Sequence, residues 1–139
     1  MSAIPVNADG KILLQQRDDR PDLTYPGYWT TFGGKVEDGE TPDEALHREL
    51  LEEIELQLPM TLWKVEDYPI QRDGQQFIVE NHIYVGYIDR EAKDIVLNEG
   101  QALGYFSLED LDQLKIGFDF ARVFREFFAA LVDGTLPLT

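Results

Sequence analysis

Three glutamates on one short segment are the residues of this chain best placed to do chemistry. Glu49, Glu52 and Glu53 stand at positions i, i+3 and i+4, which one face of an α-helix brings together. Carboxylate oxygens suit Mg²⁺ or Mn²⁺, and protein-bound Mg²⁺ usually combines a few carboxylates with substrate phosphates. The spacing therefore indicates a divalent metal site. The alternative is a solvated acidic face, since like charges at this spacing cost only about 0.2–0.5 kcal/mol per pair.

The segment around these glutamates carries clear helix signals. Thr41 is a suitable N-cap, Pro42 fits the first helical position, and Glu44 completes a capping box. The signals predict a helix over residues 42–54. Its apolar side is predicted to bury against a sheet, and the residues on that side are Leu46, Leu50, Leu51 and Ile54.

The rest of the chain alternates strand-like runs with turn signals and ends in a second helix. The predicted strands are residues 3–8, 11–17, 28–32, 61–71 and 76–88. Asp73-Gly74 predicts a hairpin between the last two. Residues 89–104 read as a loop, residues 105–111 lead into a short helix, and residues 118–134 form a strongly apolar final helix. This order predicts an α/β sandwich with a mixed sheet and one main helix on each face.

Composition limits the classes of partner. The chain has 139 residues, which predicts a single domain over 1–139, and its net charge of −15 argues against binding nucleic acid polymers or anionic membranes. It has no cysteine, so disulfides and thiolate metal sites are excluded. With no signal-peptide pattern and no apolar run long enough to span a bilayer, the expected location is the cytoplasm.

Residues 34–56 resemble the signature of the Nudix hydrolase family, G-x5-E-x7-R-E-U-x-E-E-x-G-U, where U is aliphatic. Eight of its nine fixed positions match, which makes the signal specific. The matching residues are Gly34, Glu40, Arg48, Glu49, Leu50, Glu52, Glu53 and Leu56. The resemblance extends over residues 3–111 and points most closely to the antimutator nucleoside triphosphate pyrophosphatases.

The resemblance implies a fold, a metal site and a reaction. The expected fold is the Nudix α/β/α sandwich, in which the signature forms a loop-helix-loop. The implied catalytic residues are Glu49, Glu52 and Glu53, and they would bind Mg²⁺ or Mn²⁺ together with the Gly34 carbonyl and Glu99. One carboxylate would take the proton from the attacking water, either Glu49 or Glu52, with Glu99 as the alternative.

Three further residues are candidates for substrate binding, each with a structural alternative. Lys35 follows the two glycines and could reach a phosphate. Arg17 lies where the family often has a phosphate-contacting arginine, but it could equally be a solvated strand end. Asp119 lies near a position that reads the base in purine-directed members, and the alternative is an N-cap for the last helix.

Two other positions in the signature concern the helix itself. Arg48 is expected to orient the helix by pairing with Glu40 or Glu44. Glu55 stands where the signature has glycine, which would end the helix in a left-handed conformation. A glutamate forced into that conformation would cost about 1 kcal/mol or more; otherwise the helix continues or ends in a different turn.

By elimination, the resemblance implies a nucleoside triphosphate pyrophosphatase, acting on normal or oxidised nucleotides and releasing a nucleoside monophosphate and pyrophosphate. The alternatives are hydrolysis of a nucleotide sugar, ADP-ribose or a dinucleoside polyphosphate, and a non-catalytic domain that only binds nucleotide. Either a monomer or a homodimer is compatible with the sequence.

Overall fold

A computed structural model describes residues 1–138, apart from the side chain of Arg72. It contains a seven-stranded sheet and two α-helices. The strands are β1 (Ser2–Val6), β2 (Ile12–Gln16), β3 (Trp29–Thr30), β4 (Phe32–Gly33), β5 (Thr61–Arg72), β6 (Gln75–Tyr87) and β7 (Ala102–Phe106). The helices are α1 (Pro42–Ile54) and α2 (Phe120–Asp133), and short 3₁₀ turns lie at Ala92–Asp94 and Glu109–Gln113.

The sheet is mixed, as predicted. Its central order is β3-β2-β1-β6-β5, with β4 also paired to β1 and β7 to β2. The β1–β6 pair is parallel and the other pairs are antiparallel. The long β5–β6 hairpin extends past the end of β1, because β1 pairs with β6 only from Ile83 to Tyr87. Pro69 is tolerated because it lies in β5, at the edge of the sheet.

Alternate residues of the central strands build two separate apolar layers, one on each face of the sheet. The α1 layer includes Ala3, Leu13 and Tyr84 of the sheet, packed with Ala45, Leu46, Leu50 and Ile54. The α2 layer includes Ile4, Leu14 and Val85 of the sheet, packed with Val123, Phe124, Phe127 and Phe128. The two helices therefore cover opposite faces, and the predicted α/β sandwich is confirmed.

Helix α1 begins and ends at the predicted residues, but one of its predicted core residues is wrong. Leu51 is 45% exposed, whereas Glu53 is only 2% exposed. At roughly 100° per residue, Leu51 lies about 100° beyond Leu50 and outside the buried arc, and Glu53 falls beside Leu46. The buried arc thus contains a carboxyl group that the apolar pattern did not assign to it, and it lacks one of the predicted leucines.

Two strand predictions are also corrected by the sheet pairing. Residues 28–32 form two short strands rather than one, because Trp29–Thr30 pairs with β2 and Phe32–Gly33 pairs with β1. The predicted loop 89–104 ends early, because β7 begins at Ala102 and pairs along all of β2.

Among the described residues, no helix is long and apolar enough to cross a membrane.

The end of α1 resolves the question raised by Glu55. Its backbone is left-handed, with φ 57° and ψ 33°, and its N–H donates to the Leu51 carbonyl. Asn98 from the loop before β7 closes this end, since its backbone N–H donates to Glu53 O (2.8 Å) and its side-chain amide donates to Glu52 O (3.0 Å) and Glu55 Oε2 (2.9 Å). Glu55 therefore takes the conformation that favours glycine, and its carboxylate contacts the loop that carries Glu99.

Substitutions at Glu55 should separate backbone strain from the Asn98 contact. We expect Glu55→Gly to have a free energy of unfolding about 1 kcal/mol above that of Glu55→Ala, because both lose the carboxylate and only glycine relieves the left-handed conformation. The wild type should fall between them, since the surface hydrogen bond adds about 0.5 kcal/mol. Urea unfolding of the three proteins measures this. An alanine variant as stable as the glycine variant would contradict the strain.

Candidate active site

Glu53 is the most deeply buried carboxyl group of the signature. The backbone N–H of Gly33 donates to its Oε2 (3.1 Å), and the side-chain amide of Gln15 donates to its Oε1 (3.3 Å). Burial raises the pKa of Glu53 to about 8, although both donors act in the opposite direction. This side chain is thus held in one place, and its surroundings disfavour its charged form.

Glu49 lies against the loop that precedes the helix. A Cβ at Gly34 would overlap the Glu49 carboxylate, so only glycine allows this close approach. The Gly34 carbonyl accepts a hydrogen bond from the Met1 α-amino group at 2.8 Å. Burial raises the pKa of Glu49, and its contact with Arg48 opposes the shift. The carboxylate and the glycine loop are therefore fitted to each other.

Arg48 holds the acidic segment together. Its Nε and Nη2 donate to the two oxygens of Glu40 (2.7 and 3.0 Å), and Nη2 also donates to the Lys35 carbonyl (3.1 Å). Its Nη1 contacts Glu49 (2.9 Å) and Glu52 (3.4 Å). The contact with Arg48 lowers the pKa of Glu40 to about 2.

Of the two predicted partners of Arg48, the structure selects Glu40. Glu44 instead completes the capping box with Thr41, as its own spacing predicted. The arginine thereby fixes the loop to the helix.

A cavity of about 810 Å³ opens beside Glu53. Six of the eight residues predicted for the site line it, namely Arg17, Gly34, Lys35, Glu53, Glu99 and Asp119. Glu49 and Glu52, on the same helix as Glu53, are not part of its wall. Burial raises the pKa of both Glu49 and Glu53, and the charge of Glu99, which shares the cavity wall with Glu53, adds to the shift.

The predicted substrate-binding residues stand at different parts of the cavity wall. The Nε of Arg17 donates to Thr24 O at 2.8 Å, and its guanidinium lies 5.3 Å from the centre of the Phe118 ring. Asp119 stands at the N-cap position of α2, but its side chain makes no capping hydrogen bond. Its carboxylate accepts from Arg122 instead, at 2.7 and 2.9 Å, so the predicted N-cap role is wrong for its side chain.

The donor set fits a divalent cation by its chemistry. Glu49, Glu53 and the Gly34 carbonyl supply hard oxygen ligands, and the two carboxyl groups have raised pKa values because burial disfavours their charge. Within residues 1–138, no three or more Asp, Glu or His side chains converge as a preformed metal cluster. Arg48 supplies the positive charge beside Glu49 and Glu52, so a cation held by Glu52 would compete with this arginine.

Two groups that hold Glu53 were not predicted from the sequence. Gln15 is 6% exposed in a strand whose neighbours are apolar, and its amide also donates to the Thr31 carbonyl at 3.3 Å. The signal available in the sequence was a glutamine within the apolar run KILLQQR. The Gly33 N–H carries no side-chain signal, and its position depends on the backbone at φ 141°, which favours glycine.

Comparison with known proteins agrees with this geometry. The family model of the NUDIX domain matches residues 1–127, so the chain belongs to the Nudix family. The oxidized purine nucleoside triphosphate hydrolase of Danio rerio is 41% identical over 58 residues, which cover 42% of this chain and 36% of that protein. The nucleoside triphosphatase NudI of Escherichia coli O139:H28 is 46% identical over 57 residues, which cover 40% of this chain and 39% of that protein.

A solved structure matches over a longer part of the chain. The solution structure of the E. coli ORF135 protein is 30% identical, with a TM-score of 0.66, and the match covers 94% of this chain and 91% of that chain. The two curated relatives, by contrast, are matched over only a little more than a third of their own length. The shared family and fold are therefore shown over most of the chain.

Proposed function

We propose that this protein is a metal-dependent hydrolase that cleaves a pyrophosphate bond in a nucleoside diphosphate linked to a further group. The proposed substrate is a nucleoside triphosphate, normal or oxidised, which yields a nucleoside monophosphate and pyrophosphate. The observation that carries the proposal is Glu53, a buried carboxyl group held by Gly33 and Gln15 at the wall of the large cavity. The names of the two curated relatives support the same substrate class.

The residues around the cavity suit this reaction. Lys35 and Arg17 line it and can neutralise phosphate oxygens, which a chain of net charge −15 otherwise repels. Glu99 is our choice of proton acceptor for the attacking water, because its carboxylate lines the cavity, whereas Arg48 occupies the other two candidates. Glu49 and Glu52, the other two candidates, both accept hydrogen bonds from Arg48.

We propose Mg²⁺ as the cofactor, with Mn²⁺ as the alternative, held by Glu49, Glu52, Glu53 and the Gly34 carbonyl, which leaves Glu99 to take the proton; if Glu99 also binds the ion, Glu49 or Glu52 takes the proton instead. When bound, such an ion neutralises phosphate charge and lowers the pKa of coordinated water. Residues 1–139 would form one domain that performs the whole reaction.

A nucleotide panel tests the proposal. We expect Mg²⁺-dependent release of nucleoside monophosphate and pyrophosphate from at least one nucleoside triphosphate, because the cavity combines a carboxylate site with phosphate-neutralising cations. The panel includes 8-oxo-dGTP, ADP-ribose, a nucleotide sugar and a dinucleoside polyphosphate, and chromatography of the products identifies the bond cleaved. Turnover of only the last three would favour the alternative hydrolases. Binding without turnover of any member would favour a non-catalytic domain and contradict the proposal.

A further inference from the structure

Asn81 is a polar side chain on an otherwise apolar face of the sheet. It shares the α2 face of β6 with Ile83 and Val85, since these residues alternate along the strand, and both neighbours belong to the apolar layer beneath α2. Asn81 itself is 8% exposed. A buried amide in such surroundings needs hydrogen-bond partners, so its partners indicate the role of Asn81.

Of the two polar atoms of this amide, only the oxygen has a hydrogen-bond partner among the described residues. The Ser2 hydroxyl donates to Asn81 Oδ1 at 3.1 Å, in a buried contact between β1 and β6. Every fully buried side-chain nitrogen or oxygen atom in the described chain has a hydrogen-bond partner. The amide nitrogen of Asn81 has no partner, so it is not fully buried and is open to the cavity that Asn81 lines. Ser2 thus orients the amide so that its two N–H donors face the cavity.

The position of Asn81 relative to Gly33 suits the base of a bound nucleotide. Ser2 pairs with Gly33 on one side and with Ile83 on the other. Asn81 is two residues from Ile83, so standard strand spacings place it about 12 Å from Gly33. Glu53 contacts Gly33 from the α1 side, whereas Asn81 lies on the α2 side. The cavity that both residues line also includes Met1, Ser2 and Gly34, at the start of β1 and the end of β4, so a nucleotide with its phosphates at Glu53 can pass this edge and extend its base toward Asn81.

The cavity wall around Asn81 is suited to a flat ring. Tyr68 and Val79 are a cross-strand pair on the same face of the β5–β6 hairpin as Asn81, and both line the cavity. Phe120 and Val123 line it from α2. Glu66, the cross-strand partner of Asn81, and Arg122 also line the cavity, but they bond to each other at 3.0 and 3.1 Å. The apolar and aromatic groups bury a nucleobase without selecting its edge, which leaves the selection to polar groups such as Asn81.

On the basis of the nucleotide hydrolysis proposed above, we propose that Asn81 makes this enzyme select bases with a carbonyl at purine position 6 or pyrimidine position 4 over bases with an amino group at that position. The carbonyl oxygen at that position in guanine, hypoxanthine, uracil or thymine accepts from the Asn81 amide. The amino group at that position in adenine or cytosine is itself a donor and cannot pair with the amide N–H groups. Ser2 is a positioning residue, because its hydroxyl holds the Asn81 side chain at the cavity wall.

Two substrate pairs isolate this selection. ITP and ATP differ at purine position 6, and UTP and CTP differ at pyrimidine position 4. For the wild type we expect kcat/KM to favour the carbonyl member of each pair by about tenfold, the value of one hydrogen bond gained against one lost. The ratio within a pair is independent of the fraction of folded enzyme, so a destabilised variant still gives an answer.

Two variants and a matched control assign the selection to Asn81. Asn81→Asp replaces the donors by an acceptor and should bring the carbonyl-to-amine ratio below one. Ser2→Ala should reduce the ratio to within about threefold of one, because the amide then loses the contact that holds it in place. Gln76→Glu makes the same charge change on an exposed part of the hairpin outside the cavity wall and should leave the ratio unchanged.

The outcomes separate this role of Asn81 from the hydrolysis itself. A wild-type ratio near one, or an unchanged ratio in Asn81→Asp, would overturn the selection while the hydrolase proposal stands. If no triphosphate is hydrolysed, calorimetric Kd values for ITP and ATP still measure the base preference. Equal Kd values would then overturn the role of Asn81, and a tenfold preference lost in Asn81→Asp would support it.

Discussion

Glu53→Gln should lower kcat/KM for the best triphosphate substrate by about 10³-fold, within the range of losses at essential carboxylates and charge-stabilising groups. Glutamine keeps the size of the side chain, so it can still accept from Gly33 N–H. It cannot supply the negative charge that a cation requires. The loss should fall on kcat and on metal affinity, and activity measured across a Mg²⁺ titration separates the two.

Two comparisons make this prediction specific. Asp38→Asn removes a carboxylate from the same acidic segment at an exposed position and should keep at least half of the activity. The glutamine variant should unfold cooperatively, since it occupies the same buried space as Glu53. A Glu53→Gln enzyme within tenfold of wild type would show that this carboxyl group is structural, and the hydrolase proposal would lose its main support.

The parts of the fold that depend on local sequence could be predicted. The capping box of Thr41 and Glu44 and the proline at the first helical position gave the start of α1, and Asp73-Gly74 gave the β5–β6 hairpin. The break at Thr31 could not be predicted, because it depends on which strands lie on either side of residues 29–33. Pairing between distant strands leaves little trace in a single sequence.

The site shows the same division between local pattern and tertiary contact. The spacing of Glu49, Glu52 and Glu53 identified the helix and the family, but it gave no difference in burial between the three carboxylates. Their environments are different: Glu52 is exposed, Glu49 lies against Gly34, and Glu53 is buried. That difference arises from the packing of α1 on the sheet, including Gln15 on β2, which no spacing rule includes.

The crowded charges of the acidic helix are balanced by one arginine. Arg48 binds Glu40 with two hydrogen bonds and reaches Glu49 and Glu52 with its remaining nitrogen. Among the described residues, Glu53 has no cationic partner and accepts only from the neutral donors Gly33 N–H and Gln15. It is therefore the member of the set whose charge depends most on what binds in the cavity.

In metal-free buffer, the free energy of unfolding of the wild type should fall as the pH rises from about 4.5 to about 8, relative to Glu53→Gln. Burial raises the pKa of Glu53 to about 8 in the folded protein, against 4.5 for an ordinary glutamate. Between these values the folded protein retains a proton that the unfolded chain has lost, so unfolding becomes more favourable with pH. The total difference should be on the order of a few kcal/mol, measured by urea unfolding with a chelator present.

Mg²⁺ should remove this pH dependence if Glu53 helps to hold it. A bound cation favours the ionised carboxylate, so metal binding releases a proton at pH 6 but not at pH 9. Mg²⁺ at a fixed millimolar concentration should therefore raise the melting temperature of the wild type more at pH 9 than at pH 6. Glu53→Gln should show a small shift that is the same at both pH values. Equal shifts in the wild type and the variant would place the cation away from Glu53. Metal affinity depends on the titration of Glu53 only if the metal displaces the proton of that carboxyl group when it binds.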